Sequence, residues 1–71
     1  MRIKAKRMDG KLFFDHFVVK KCSVFMYGVY HRGIGYSYYG DVITSATSWK
    51  AATKKARLLE IGYRACVSDL T

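Results

Sequence analysis

Apolar side chains recur at steps of three and four between residues 48 and 61, which is the spacing of one side of an α-helix. The stripe consists of Trp49, Ala52, Ala56 and Leu59, with Tyr63 at its edge. Ser48 precedes the stripe and is a favourable N-cap, while Gly62 follows it and is a typical C-terminal stop. The pattern therefore predicts a helix that begins at Ser48, ends at Gly62 and is anchored by Trp49.

Before this helix, apolar and polar positions alternate with the period of two that is typical of β-strands. Asp9-Gly10 lies between two such stretches, and this dipeptide favours a tight hairpin turn. Residues 20–23 and 44–47 are polar and predict connections. A short alternating stretch at 63–68 predicts one more strand after the helix. The strands predicted before the helix are residues 2–8, 11–19, 23–30 and 35–43.

A single helix buries its apolar stripe against one side of an antiparallel sheet, so these elements predict a small two-layer α+β domain. The predicted order is β-β-β-β-α-β, with a sheet of four to five strands, and residues 1–71 form a single domain. The other side of the sheet is left open. Strand residues that point away from the helix are expected there.

The chain is strongly basic, with thirteen Lys and Arg, five acidic residues and a net charge of +8 over 71 residues. This charge predicts attraction to a polyanion, such as nucleic acid or an acidic protein surface. The sequence has no apolar run of membrane-spanning length and no signal-peptide pattern, so we expect a cytoplasmic protein without a membrane partner. Cys22 and Cys66 are expected to be buried free thiols, and the alternative is a single disulfide between them.

Five of the six tyrosines lie between Tyr27 and Tyr39, with basic residues on either side. Aromatic rings among cations on a sheet can stack nucleic-acid bases while the charges follow the backbone. The same rings are also explained by strand packing or by a protein interface. The candidate binding residues are Lys4, Lys6, Lys20, Lys21, Tyr27, Tyr30, Arg32, Tyr36, Tyr38, Tyr39, Lys50, Lys54 and Arg57.

Two short stretches resemble parts of known families. Gly28-Val29-Tyr30 followed by Tyr38-Tyr39-Gly40 resembles the paired tripeptides of GIY-YIG nucleases, and this resemblance implies a metal-dependent site in which Arg57 and Glu60 take part. The gap between the two tripeptides is shorter than in that family, and the chain contains no Asn. Residues 35–56 are similar to the last strand and helix of AP2-like and phage-integrase arm-binding domains, which bind DNA.

Candidate catalytic and metal-binding groups are dispersed along the chain. His16 and His31 are fifteen residues apart, and no closely spaced pair of Cys or His ligands indicates a zinc site. The sequence shows no nucleophile elbow, phosphate-cradling glycine loop or pair of carboxylates. We therefore expect neither an enzyme nor a cofactor.

Two functions fit these observations. The first is a small module that binds nucleic acid through a basic, tyrosine-rich sheet surface. The alternative is an inhibitor or accessory factor of the kind that phages and mobile elements encode, including the anti-CRISPR type, which binds a host protein or a nucleic-acid-binding complex. Homodimerisation through an edge strand is compatible with both.

Overall fold

The computed structural model describes residues 3–70 and contains a five-stranded antiparallel sheet followed by one helix. Each strand pairs with the next along the chain, so the spatial order is β1-β2-β3-β4-β5, with β1 and β5 at the edges. The helix packs across one side of the sheet, which confirms the two-layer α+β fold. The elements are β1 (Lys6–Met8), β2 (Lys11–Phe13), β3 (Phe17–Ser23), β4 (Met26–Arg32), β5 (Tyr38–Ala46) and α1 (Trp49–Leu70).

The first hairpin turns at Asp9-Gly10, as predicted. Both residues have positive φ, 53° and 73°, which is the conformation that a two-residue hairpin turn requires. Residue 2 of the strand predicted over residues 2–8 lies outside the described residues; within them β1 is shorter than predicted, because ladder pairing with β2 involves only Lys6–Met8.

The strand predicted over residues 11–19 is wrong, because the chain turns sharply in its middle. The backbone N–H of Phe14 donates to the carbonyl of Phe17 at 2.8 Å, and this turn separates β2 from β3. Strand β3 then continues through residues 20–23, which had been predicted as a connection. Lys20 and Lys21 interrupt the apolar pattern, but they pair with β4 as regular strand residues.

The remaining strand boundaries also differ from those predicted. Val24 and Phe25, expected within a strand, form the turn between β3 and β4, and they are 70% and 77% exposed. Strand β5 starts at Tyr38 and runs to Ala46, so it includes most of the predicted connection over residues 44–47. Its pairing with β4 shifts between Val29 and His31, next to Gly40, which has a φ of 77°.

Helix α1 starts where predicted, with the Ser48 hydroxyl accepting a hydrogen bond from the Ala51 N–H at 3.2 Å. It does not stop at Gly62, and the strand predicted over residues 63–68 is wrong, because the helix continues to Leu70. The turn after Gly62 is held against the sheet by Tyr63, which packs on His16, and by Arg64, which pairs with Asp15. These contacts outweigh the low helix propensity of glycine.

The core lies between the helix and the middle of the sheet. Ala52 and Ala56 pack on the strand residues beneath them, and Trp49 contacts Tyr27 with a ring-centroid distance of 5.1 Å, as expected for an anchor at the start of the helix. The buried cluster comprises Phe14, Phe17, Val19, Val29, Ala52 and Ala56.

Two further expectations concern the cysteines and the membrane. Cys22 and Cys66 are free but exposed, so the prediction that they are buried is wrong. Within the described residues, no helix combines the length and the apolar character that a bilayer span requires.

Candidate nucleic-acid interface

The strand register defines which side chains lie on the side of the sheet that the helix leaves uncovered. Directly paired residues in an antiparallel sheet share a side, and Lys6 pairs with Phe13, Phe13 with Val18 and Val18 with Tyr30. Their neighbours along β3 and β4 point to the helix. We call this uncovered side the open face; it carries Lys6, Phe13, Val18, Lys20, Cys22, Gly28, Tyr30, Arg32, Tyr38 and Val42, with Tyr36 packed over it from the β4–β5 loop.

One half of the open face is organised around Tyr36. The Tyr36 ring meets Phe13 edge to face at 5.3 Å, and the charged groups of Lys6 and Arg32 both lie 5.3 Å from its centre. Arg32 is fixed by hydrogen bonds of 2.8 Å to the carbonyls of Phe14 and Gly35. Tyr36 remains 48% exposed. An exposed ring between two cations can stack a base and attract the adjoining phosphates.

A shallow cleft of about 290 Å³ lies beside this cluster. Lys4 and Lys6 line one part of it and Arg32 another, with Phe13 and Tyr36 supplying the apolar lining. The cleft therefore combines cationic and aromatic groups, the chemistry that a nucleotide with its phosphate requires.

The other half of the open face is organised around Lys20. Its ammonium group donates to the Tyr38 hydroxyl at 2.8 Å and lies 4.9 Å from the Tyr38 ring centre and 5.9 Å from that of Tyr30. The hydrogen bond to Tyr38 raises the pKa of Lys20, so this amine is charged throughout the physiological pH range. Tyr30 and Tyr38 are themselves 5.0 Å apart.

Gly28 lies at the surface of the sheet, beneath these aromatic side chains. A Cβ atom at this position would lie 2.9 Å from Val42 Cγ2 and 3.1 Å from both Cys22 Sγ and Tyr30 Cε1. Cys22 Sγ is also 3.1 Å from the Tyr30 hydroxyl, and this hydrogen bond is the main cause that raises the pKa of Tyr30. The missing side chain at Gly28 thus lets Tyr30 lie close to the sheet.

The candidate binding residues divide into three groups. Lys6, Lys20, Tyr30, Arg32, Tyr36 and Tyr38 lie together on the open face, and Lys4 lines its cleft. Tyr27, Tyr39 and Lys21 lie on the side of the helix, since Tyr27 pairs with Lys21 and contacts Trp49, while Tyr39 pairs with His31. The third group, Lys50, Lys54 and Arg57, is exposed on the outer surface of α1 and is not part of the open face.

The structure separates the residues that the nuclease resemblance would bring together. Tyr30 and Tyr38 adjoin on the open face, whereas Arg57 and Glu60 belong to the helix on the opposite side of the sheet. Arg57 is exposed and Glu60 is fully buried. Within the part of the chain that the structure describes, no three His, Cys, Asp or Glu side chains are grouped as a metal site would require.

Among the open-face residues that sequence reasoning missed, three support the aromatic rings, namely Phe13, Cys22 and Gly28. Phe13 supports Tyr36, and the other two lie beneath Tyr30. Their position depends on the turn between β2 and β3 and on the strand register. The apolar run around Phe13 indicates a strand, but not which side of the sheet Phe13 faces.

Comparisons with known proteins find no matching family, no similar curated protein and no similar solved structure. The geometry of the open face and its charge are therefore the basis for inferring a function.

Proposed function

We propose that this protein binds single-stranded nucleic acid on the open face. The observation that carries the proposal is the pairing of cations with partly exposed tyrosine rings: Lys20 lies against Tyr30 and Tyr38, and Lys6 and Arg32 flank Tyr36. Bases stack on aromatic rings whatever their sequence, while Lys and Arg neutralise the phosphates. Single strands fit this mode because their bases are free to stack.

The net charge supports the same function. An excess of eight positive charges on 71 residues attracts polyanions at long range. In addition, the exposed residues Lys50, Lys54 and Arg57 on α1 add to the positive electrostatic field of the protein, but they supply no aromatic ring for stacking. The open face supplies the contacts, and the helix surface strengthens the electrostatic attraction.

The test is a fluorescence-anisotropy titration against labelled single-stranded DNA, single-stranded RNA and duplex DNA at about 50 and 200 mM salt. The proposal predicts micromolar or tighter binding to single strands, a weaker interaction with duplex and a steep loss of affinity at the higher salt concentration. Equal affinity for duplex and single strands would contradict the stacking mode. Absence of binding at the lower salt concentration would contradict the function as a whole.

A second candidate function is that of a protein-binding inhibitor or accessory factor, and the exposed apolar residues favour it. Val24 and Phe25 project from the β3–β4 turn, Ile34 is 97% exposed in the β4–β5 loop, and Leu58 is 60% exposed on the helix. Val24 and Phe25 are adjacent, and exposed apolar side chains that lie together indicate a protein contact. A Phe25→Ala, Ile34→Ala double variant that keeps its nucleic-acid affinity but no longer captures a host protein would support this function. Equal capture of the host protein by wild type and by the double variant would contradict it.

A further inference from the structure

A buried carboxylate orients one of the two histidines. Glu60 is fully buried, and its two oxygens lie 2.8 Å from the His16 backbone N and 2.6 Å from His16 Nδ1. Arg64 Nε is 3.4 Å from the same carboxylate. An ionised carboxylate accepts but cannot donate hydrogen bonds, so Nδ1 carries the proton that faces it. In the neutral ring, Nε2 is then left with a free lone pair.

This histidine opens onto a second cleft, where the other histidine is also found. The His16 side chain is 41% exposed, and its ring packs on Tyr63 at 4.2 Å. His31 lines the same cleft and stacks on Tyr39 at 5.6 Å with an interplanar angle of 20°. The cleft therefore presents an oriented histidine and a second, exposed histidine to one small space.

The cleft has a volume of about 110 Å³, enough for about three water molecules at ~30 Å³ each, so it can admit only a small group. Asp15 and Arg32 line both this cleft and the one beside Tyr36 on the open face. Arg32 brings positive charge to the boundary, and the charge of Asp15 is offset by its ion pair with Arg64. The two clefts therefore adjoin at Asp15 and Arg32, so a nucleic-acid strand bound beside Tyr36 can extend to the two histidines.

We propose that the His16–His31 cleft cleaves RNA by transesterification, a proposal that rests on the binding of nucleic acid to the open face. His16 acts as the general base and His31 as the general acid, the roles in which histidine is most common. Glu60 is a positioning residue. It fixes the tautomer of His16, as a buried carboxylate does for the catalytic histidine of serine proteases.

The chemical step balances without any further reactant. His16 Nε2 takes the proton of a ribose 2′-hydroxyl, the 2′-oxygen forms a bond to phosphorus, and the bond from phosphorus to the 5′-oxygen breaks. His31 gives a proton to the departing 5′-oxygen. The products are a 2′,3′-cyclic phosphate and a 5′-hydroxyl, and proton exchange with water restores both histidines. DNA lacks the 2′-hydroxyl, so it is bound without being cleaved.

The experiment compares full-length wild-type protein with the variants His31→Ala and Glu60→Gln, all purified identically. The substrate is an end-labelled RNA, with a DNA of the same sequence as the binding control. Gln keeps the volume of Glu60, but its amide donates to Nδ1 and moves the ring proton to Nε2, which removes the base. His31 is exposed, so its replacement leaves the fold intact. Thr47→Ala, which changes an exposed residue in the connection between β5 and α1, is the control.

The expected result is that wild type and Thr47→Ala cleave RNA to 2′,3′-cyclic phosphate ends and leave DNA intact. We expect each of the two cleft variants to lose about 100-fold or more in kcat, with KM within twofold and DNA affinity unchanged. RNA that is bound but not cleaved, or cleavage that is the same in all four proteins, would overturn the proposal while leaving nucleic-acid binding in place. Failure to bind either strand would contradict the binding function itself.

Discussion

Glu60 holds His16 at two points, accepting hydrogen bonds from its backbone N–H at 2.8 Å and from ring Nδ1 at 2.6 Å, although 44 residues separate the two in the chain. This contact joins the turn between β2 and β3 to helix α1. It therefore ties the helix to the end of the sheet that carries the cleft.

Replacing Glu60 with Ala should destabilise the fold by about 2–3 kcal/mol, because two hydrogen bonds are lost around a buried site. Urea unfolding of the purified protein measures this loss. The control is Arg57→Ala, an exposed residue on the same helix, which should change the free energy of unfolding by less than about 0.5 kcal/mol. If Glu60→Ala lowered the free energy of unfolding as little as Arg57→Ala does, the contact between Glu60 and His16 would not be what holds the turn to the helix.

Gly62→Ala should stabilise the protein by about 1 kcal/mol. Gly62 lies within α1, a Cβ atom at this position would meet no atom within 4 Å, and Ala is favoured over Gly in a helix interior by roughly this amount. The measurement is again the free energy of unfolding in urea. Destabilisation would contradict a continuous helix and would instead support a chain that ends its helix at Gly62.

Gly28→Ala should have the opposite effect and cost about 1–3 kcal/mol, the usual effect of overpacking. The added methyl group would lie 2.9 Å from Val42 Cγ2 and would press on Tyr30. The two glycine variants form a matched pair, because the same substitution is made in a crowded sheet and on an uncrowded helix. Equal effects of the two substitutions would contradict the close approach of side chains around Gly28.

The helix start and the first hairpin could be predicted because their signals are local. Ser48 and the apolar stripe that follows it specify the first turns of α1, and Asp9-Gly10 specifies its own turn. The end of the helix could not be predicted, because Gly62 is a local stop signal that loses to distant contacts between Tyr63 and His16 and between Arg64 and Asp15. Local propensity is weaker than such packing.

The candidate interface was predictable only in part. Tyr36 and Lys20 stand out by their type and by their basic neighbours, but the side of the sheet they occupy depends on register. Tyr39 illustrates the difficulty, since its pairing with His31 places it on the side of the helix, whereas its neighbour Tyr38 lies on the open face. The cleft that contains His16 was not predictable, because Glu60 reaches it only through the folded chain.

Alkaline pH should weaken the fold through the Lys20 and Tyr30 side chains. The pKa of each is raised in the folded state, Lys20 by its bond to Tyr38 and Tyr30 by its bond to Cys22. A raised pKa means that the folded state holds the proton more tightly. This stabilisation is complete below the unfolded pKa values, about 10.4 for Lys20 and about 10 for Tyr30, and is lost as pH rises above them.

The corresponding measurement is the free energy of unfolding between pH 8 and pH 11.5. We expect no contribution from these two groups to its pH dependence below about pH 9.5, and a decline at higher pH that is smaller in Tyr30→Phe than in wild type. A decline of the same steepness in both proteins would contradict the contribution of Tyr30.

The most direct test of the nucleic-acid interface is the affinity of single-stranded DNA for Tyr36→Ala and Lys20→Ala, each compared with Lys54→Ala after checking that all are folded. Loss of a stacking ring should cost about 1–3 kcal/mol, and loss of Lys20 should lower the salt slope by about 0.7. We predict that Lys54→Ala binds with almost the affinity of wild type. This variant removes the same charge as Lys20→Ala, but from the outer surface of the helix. Equal losses of affinity in Lys20→Ala and Lys54→Ala, with none in Tyr36→Ala, would show that the protein attracts nucleic acid by net charge alone and would contradict the open face as the binding site.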